Sequence, residues 1–366
     1  MLITLLIAFL SLITLMVIHE FGHFIIAKKF GVRVEEFGIG YPPRLFGKQF
    51  GDTLYSVNLV PLGAFVKIYG EEGEVISDID SYRSFAGLEI YKRVLIVLGG
   101  VIAFWIASII IFSVVFLIGA KVPIGDQDVA GFTDTSIAII QVVPNSPAEI
   151  SGLKAGDTLA GFNKVSDFQQ FTQDNKGKPV AVTIERGGKA MDVTITPRAE
   201  YPEGQGPTGL VLERFATVIA KSAWYMAPFY GAAYCAEVTW QVLAGIGGVL
   251  GSLFGGQGMP SGAELAGPVG ITIFLAKAVD YGPGFFLYFI GSISVLLAVF
   301  NLLPIPALDG GKLLFLTIEK IKGRPVSVQV EQWLTIFFFV LLISMSLFIT
   351  IKFDFPRAME FWRAGL

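Results

Sequence analysis

Four long apolar runs constrain this chain more than any other feature. Each has about 20 mainly apolar residues, the length a helix needs to cross the hydrocarbon core of a bilayer. They cover roughly residues 2–27, 94–118, 285–303 and 333–351. The composition agrees, with 53% hydrophobic and 16% charged residues among 366. The sequence therefore predicts an α-helical polytopic membrane protein. Its net charge of -3 offers no argument for a nucleic-acid partner.

The first apolar run starts at the N-terminus, with no basic segment before it and no small-residue cleavage site after it. We therefore expect a retained membrane helix rather than a cleaved signal peptide. A fifth region, 215–256, is also apolar, but Lys221 and Glu237 interrupt it and it then becomes glycine-rich.

Basic residues predict the orientation, because they concentrate on the cytoplasmic side of membrane proteins. They cluster between the first and second runs and again between the third and fourth. Both connections are thus expected in the cytoplasm, and both termini outside. An even number of crossings must separate the two connections, and the second and third runs supply two. We therefore interpret 215–256 as an interfacial or re-entrant element.

Residues 123–199 differ from the rest in showing short alternating runs and turns typical of a small β-rich domain. They resemble a PDZ domain, whose landmarks here are Ser146-Pro147-Ala148, Gly152-Leu153, Gly156-Asp157 and Asn163. The alternative is another small β-rich fold. By orientation this insert would be extracytoplasmic. A second β-element is expected around 53–70, where two strand-like runs flank Pro61, Leu62 and Gly63.

His19, Glu20 and His23 form an H-E-x-x-H motif inside the first apolar run, and the chain has no other histidine. Positions i and i+4 share one face of a helix, so both imidazoles can reach one ion. The pattern is typical of a zinc site with Glu20 as general base. The alternative is a chance motif whose histidines are satisfied by neighbouring helices. Because ionisable groups inside a span are costly, function is favoured.

A catalytic zinc site needs a third protein ligand, and without another histidine a carboxylate is expected. The candidates are Glu237, Glu264, Asp280 and Asp309. His19 lies ~26 Å along the first helix, near the cytoplasmic side of a ~30 Å layer. Only Asp309, in "NLLPIPALDGG", matches that side and depth. The alternative for this stretch is a plain helix stop and turn.

The pairing of His19-Glu20-Phe21-Gly22-His23 with Asn301…Pro304…Pro306…Leu308-Asp309-Gly310 resembles the site-2 protease family of intramembrane zinc metalloproteases. The likeness is close to its bacterial branch known as regulator of sigma-E protease. Stretches 37–40, 60–71 and 266–271 resemble that branch as well.

The resemblance implies a bacterial inner-membrane zinc metalloendopeptidase that binds Zn²⁺ through His19, His23 and Asp309. It implies a substrate-binding role for Asn301, together with Pro304 and Pro306. The segment around 53–70 would be a membrane-associated β-hairpin. Its edge, with Gly63, Ala64 and Phe65, could add the unwound substrate as a strand.

The implied substrates are single-pass membrane proteins, such as anti-sigma factors already clipped outside or signal-peptide remnants. Some family members carry two PDZ domains, whereas this chain has room for one, which could bind a peptide or filter substrates by size. We expect four sections: 1–122, the first membrane part; 123–199, the PDZ-like domain; 200–284, an interfacial or re-entrant linker; and 285–366, the second membrane part.

Two rival interpretations remain open at this point. The chain could be a membrane-anchored zinc protease that degrades soluble or misfolded proteins. It could also be a PDZ-bearing membrane scaffold without catalysis, although the base and all three expected ligands are present.

Overall fold

A computed structural model describes residues 2–71, 81–124, 126, 133–154, 156–202, 206–218, 224–255, 266–280 and 282–364. The chain divides into two compact units. The helical unit comprises Met1–Val114, Pro228–Gly258 and Glu264–Leu366, and the β unit comprises Val115–Ala227 and Met259–Ala263.

The described helices and strands follow one another in this chain order: α1 Leu2–Lys29, β1 Val34–Phe50, β2 Thr53–Ile68, α2 Ile90–Ile118, β3 Ala120–Pro123, β4 Thr133–Val142, α3 Pro147–Ile150, β5 Thr158–Leu159, α4 Val165–Asp174, β6 Val180–Arg186, β7 Lys189–Ile195, β8 Leu210–Val218, α5 Ala227–Phe254, α6 Pro268–Asp280, α7 Pro283–Leu302, α8 Asp309–Lys322, α9 Val328–Ile349 and α10 Phe355–Ala364. A π-helical turn, Thr350–Asp354, joins α9 to α10.

Within the described residues, four helices are long and apolar enough to cross a membrane: Leu2–Lys29, Ile90–Ile118, Pro283–Leu302 and Val328–Met359. This confirms the four apolar helices expected from the sequence. No residue is buried in the most apolar 18-residue stretch of the fourth helix, and large side chains such as Trp333 and Phe337 are exposed on this helix. In a bilayer these side chains would face lipid tails, which are as apolar as they are.

The core of the helical unit lies where α1, α2, α6 and α7 meet. Leu15, Phe104, Leu275 and Ile293, one from each helix, are buried in the same cluster. Small residues let α1 and α2 approach closely. A Cβ on Gly22 would lie 2.2 Å from the carbonyl oxygen of Gly99, so no larger residue fits there without displacing a helix.

A second cluster joins the end of α1, the base of the β1–β2 hairpin, the start of α2 and helix α8. Ala27, Val34, Ile68, Val97 and Leu316 are all buried in it. Beside it, Arg93 of α2 donates two hydrogen bonds to Glu319 of α8, at 3.0 and 2.5 Å. The two basic connections predicted to share one side of the membrane therefore meet in the structure.

The β1–β2 hairpin is bent, so that its long strands pair in segments. Gly38 in the first half of β1 pairs with Phe65 on one side and with Ser56 on the other. The second half of β1 pairs only with 53–58. Segment 64–68 of β2 is consequently an edge, since the described strands place nothing on its outer side.

Helix α5 occupies much of the ambiguous region 215–256. Its Gly231 packs directly on α2, because a Cβ there would lie 2.7 Å from the carbonyl oxygen of Ile109. Tyr234 meets Phe112 edge to face at 5.1 Å. These contacts attach α5 to the bundle. Its interfacial or re-entrant course stays a prediction.

The β unit contains a six-stranded sheet in the order β3-β8-β4-β5-β6-β7, with every described pair antiparallel. Helices α3 and α4 contribute Ala148 and Phe168 to its core, which also holds Ile139 and Ile184. Strand β8 extends the sheet to Val218, past the expected boundary at 199. The identity of this domain as PDZ-like stays a prediction.

A buried ion pair stabilises the turn before β5. Asp157, only 1% exposed, accepts two hydrogen bonds from Arg186 at 2.6 Å and one from the backbone amide of Lys154 at 2.8 Å. Burial alone would raise the pKa of the Asp157 carboxyl, but these hydrogen bonds hold it below its usual range. The ionised form therefore stabilises the fold.

We predict that Asp157→Asn lowers the free energy of unfolding of the β unit by about 2 kcal/mol, because it removes charge-assisted hydrogen bonds. The stabilisation is present above the unfolded-state pKa and is lost as the pH falls below about 4. Pulse proteolysis of the detergent-solubilised full chain against pH would measure both effects. Asp192→Asn, which neutralises an exposed carboxylate that accepts a hydrogen bond from Thr183, is the control and should change stability little.

Candidate metal centre

Helix α1 places His19 and His23 on one face, turned toward α2. Both are buried, at 9% and 8% exposure, and their ring centroids lie 4.7 Å apart, nearly perpendicular. Their Nε2 atoms are 3.2 Å apart. The i, i+4 spacing thus brings the same ring nitrogen of each imidazole to one point.

Asp309 reaches this point because α7 ends at Leu302 and α8 starts at Asp309 itself. The loop between them folds tightly, with the amide of Leu308 donating to the carbonyl of Ile305 at 2.8 Å. Gly310 and Gly311 then pack on the loop. Cβ atoms there would lie 2.1 Å and 2.3 Å from the carbonyl oxygens of Leu303 and Ile305. Side chains at these positions would push α8, and Asp309 with it, away.

The three side chains form a nearly equilateral triangle of potential ligand atoms. Oδ2 of Asp309 lies 3.4 Å from Nε2 of His19 and 3.4 Å from Nε2 of His23. Among the described residues, these form the one group of three or more His, Cys, Asp or Glu side chains close enough to hold a metal ion. The structure therefore brings the three predicted ligands together.

Neighbouring groups orient both imidazoles. Nδ1 of His23 lies 2.9 Å from the carbonyl oxygen of Ile96. This contact orients the ring so that Nε2 faces the triangle, as backbone carbonyls commonly do for metal-binding histidines. The ring of His19 stacks on Phe104 at 4.6 Å. Gly100 of α2 lies against both rings, because a Cβ there would be 2.3 Å from Nε2 of His23 and 2.5 Å from Cε1 of His19.

The donor set fits zinc. Two imidazole nitrogens and one carboxylate oxygen are ligands of catalytic zinc sites. Tetrahedral bonds of about 2.0–2.1 Å place ligand atoms about 3.3 Å apart, close to the observed 3.2–3.4 Å. Oδ2 of Asp309 is buried and has no hydrogen-bond partner in the described part of the chain, so a cation would satisfy an otherwise costly polar atom.

Glu20 lies beside the triangle, half-buried on α1. His23, Asp309, Glu71 and Lys312 lie close enough to its carboxylate to interact with it electrostatically. Its carboxylate therefore shares the electrostatic environment of the triangle.

The predicted substrate residues of the hairpin lie close to the motif helix. Gly63 has φ of +146°, a conformation that favours glycine, and a Cβ there would be 3.1 Å from Sδ of Met16 on α1. Ala64 is buried, and the ring of Phe65 stacks on Tyr41 at 6.1 Å. The hairpin therefore contacts α1 at Met16, three residues before His19.

The other predicted substrate residues lie where α7 ends and the next loop begins. The side-chain amide of Asn301 donates to the carbonyl oxygen of Leu297 at 3.0 Å. Pro304 is exposed, whereas Pro306 is buried and its carbonyl oxygen accepts from Thr335 of α9 at 3.2 Å. Their substrate-binding role stays a prediction.

The other candidate third ligands do not join the triangle in the described structure. Glu237 lies on α5, where it accepts a hydrogen bond from Gln241 at 3.2 Å. Glu264 lies outside the described residues, and nothing is described of the Asp280 side chain.

Sequence reasoning missed Gly100, Glu71 and Lys312. A glycine pair at 99–100 inside an apolar helix was a usable signal, since close helix contacts favour small residues. No local pattern links Glu71 to Lys312, which meet only through the fold.

We predict that Gly100→Ala lowers zinc affinity roughly tenfold or more, because the added methyl group must displace one or both imidazoles. Zinc content of the purified protein, titrated with a chelator, would measure it. Gly245→Ala on α5, where a Cβ meets nothing within 4 Å, is the matched control. Full zinc retention in Gly100→Ala would contradict the geometry.

Comparison with known proteins gives consistent matches along the chain. A model described as Peptidase family M50 matches residues 7–345. A Clostridium perfringens protein is 31% identical over 350 residues, covering 94% of this chain and 96% of that protein. The regulator of sigma-E protease of Salmonella typhimurium is 29% identical over 441 aligned positions, covering 93% and 96%.

The zinc metalloprotease RasP of Geobacillus kaustophilus is 26% identical over 414 aligned positions, covering 91% of this chain and 93% of that protein. The Salmonella and Geobacillus alignments are both longer than the 366 residues of this chain. Those two proteins therefore contain segments with no counterpart here.

Proposed function

This chain belongs to peptidase family M50, the site-2 proteases, and is a zinc metalloprotease; we propose that it is an intramembrane endopeptidase. Its substrates would be single-pass membrane proteins, cut within or near their membrane span. The observation that carries this proposal is the triangle of His19, His23 and Asp309 at the end of an apolar helix.

We assign zinc binding to His19, His23 and Asp309, with a fourth position open to the reaction. Bound zinc would lower the pKa of a water molecule and polarise the peptide carbonyl. Glu20 would take a proton from the attacking water and pass it to the leaving amine nitrogen. Ile96 and Phe104 would keep the two imidazoles aimed at the metal.

The hairpin edge at 64–68 would bind the substrate. A peptide bond inside a helix is shielded, so the substrate must unwind before cleavage. Strand addition to an exposed edge supplies backbone hydrogen bonds to an unwound segment. The position of Gly63 beside Met16 supports placing that segment near Glu20. Asn301, with Pro304 and Pro306, would contact it from the other side.

We propose that the enzyme lies in the bacterial inner membrane with its site near the cytoplasmic side. The meeting of the two basic connections at one end of the bundle, through Arg93 and Glu319, supports one common side for them. The β unit, proposed to be a PDZ-like domain that extends to Val218, would then be extracytoplasmic. It could bind a peptide or admit only substrates whose outer domain has been trimmed.

Anti-sigma factors and signal-peptide remnants are the substrates we favour. The name of the Salmonella relative, regulator of sigma-E protease, supports the first. Two rivals are tested separately. If purified enzyme in detergent cleaves soluble casein in preference to a transmembrane peptide, a membrane-anchored protease of soluble proteins is the better description. If it holds no stoichiometric zinc, a non-catalytic scaffold is.

We predict that Glu20→Gln lowers the cleavage rate of a transmembrane peptide by about 10²–10⁴-fold, because the general base is lost. Zinc content should stay at the wild-type level, since Glu20 is not assigned as a ligand. Glu237→Gln, a carboxylate change on α5, is the control and should leave the rate unchanged. Full proteolysis by Glu20→Gln would refute the mechanism.

We predict that Asp309→Ala lowers zinc occupancy, because two imidazoles alone bind the ion more weakly than three ligands. Metal analysis after dialysis against a weak chelator would measure the loss. The peptidase rate should fall in parallel. An Asp309→Ala protein with stoichiometric zinc would remove Asp309 from the ligand set.

A further inference from the structure

An ion pair between Glu71 and Lys312 joins the two parts of the proposed site. Nζ of Lys312 donates to Oε1 of Glu71. Glu71 follows the end of β2 by three residues, and Lys312 follows Asp309 by three residues on α8. The pair thus links the strand that would receive substrate to the helix that begins with a proposed zinc ligand.

The Glu71–Lys312 ion pair lies where solvent screens its electrostatic attraction only in part. The side chain of Glu71 is 14% exposed and that of Lys312 is 39% exposed, so the carboxylate is largely shielded from solvent. The ammonium also lies within electrostatic range of the carboxylates of Glu20, Asp309 and Glu331. Its direct contact in the described structure is with Glu71.

The position of Glu71 is itself fixed by backbone contacts. Its amide donates to the carbonyl oxygen of Ile68 at 3.3 Å, and the amide of Tyr69 donates to the carbonyl oxygen of Arg33 at 3.0 Å. Ile68 and Leu316 of α8 are buried in the same hydrophobic cluster. A shift of α8 relative to Glu71 would therefore be transmitted to the hairpin.

Helix α8 is held at two points along its length. Glu319, toward its C-terminal end, takes two hydrogen bonds from Arg93 of α2. Lys312, toward its N-terminal end, is tied to the hairpin. The packing of Gly310 and Gly311 on the preceding loop does not involve Glu71. Loss of the Glu71 contact would therefore leave Asp309 in place while loosening the end of β2, which stays attached to α8 through Ile68 and Leu316.

We propose that Glu71 and Lys312 are positioning residues that fix the substrate-binding edge, 64–68, relative to the catalytic centre. This inference rests on the proposed function and deepens it. It separates two roles on one helix: Asp309 holds the metal, and Lys312 sets where the scissile peptide lies. The pair should affect substrate binding and not zinc binding.

The test compares Glu71→Gln, Lys312→Met, the double variant and the conservative Lys312→Arg. Zinc content, and kcat and KM for a transmembrane peptide, are measured for each. Affinity for the same peptide is also measured in the Glu20→Gln background, where cleavage is blocked. Glu89→Gln is the control, because it removes a 3.2 Å ion pair with Lys92 that lies outside the hairpin.

We expect the two single variants to raise KM and the peptide Kd about fivefold, with zinc content unchanged and kcat within about twofold. The double variant should lose no more peptide affinity than the more affected single variant, because both single substitutions remove the same interaction. Lys312→Arg should keep KM and Kd close to the wild-type values, which also shows that the position tolerates change. Glu89→Gln should leave KM unchanged.

Three results would each overturn the proposed positioning role: additive effects in the double variant, an equal loss of peptide affinity in Glu89→Gln, or a fall in the zinc content of the folded single variants. An unchanged KM and Kd in both single variants would overturn it too. A wild-type protein that binds no zinc, or that cleaves no transmembrane peptide, would instead refute the proposed function.

Discussion

The structure depends on one constraint: polar side chains in an apolar layer must satisfy one another or share a ligand. His19, His23 and Asp309 meet this constraint together, with three ligand atoms within 3.4 Å of one another. Among the described residues, Oδ2 of Asp309 is buried without a hydrogen-bond partner, and a cation would satisfy it. The surrounding helices enclose this site, and both imidazole rings fit against α2 because Gly100 has no side chain.

The break between α7 and α8 is what allows a carboxylate from late in the chain to reach the motif helix. Irregular backbone at membrane depth is tolerated where it is buried in protein or lines a wet cavity. Here the loop makes internal turn hydrogen bonds, and Thr335 donates to the carbonyl oxygen of Pro306. Gly310 and Gly311 pack closely on the carbonyls of Leu303 and Ile305. The same loop thus ends one helix, orients the next and delivers Asp309.

The proposed substrate edge and the proposed metal ligands lie on different elements of the helical unit. The bent hairpin offers an edge at 64–68 beside α1, whereas the proposed ligands come from α1 and α8. Glu71 and Lys312 connect these elements through side chains whose contact is separate from the metal triangle. Under this proposal, the affinity for the peptide could be changed without changing the affinity for the metal.

The sequence by itself determined the four apolar helices and the presence of β structure in the insert, because helix length and strand alternation are local properties. The i, i+4 spacing of His19 and His23 is local too, and depth arguments singled out Asp309. Tertiary structure alone decided the 3.4 Å meeting of Asp309 with the imidazoles, the two-sided pairing of Gly38, the addition of β8 to the sheet and the Glu71–Lys312 contact. Each joins residues far apart in the chain, and such contacts depend on how the elements pack rather than on any local pattern.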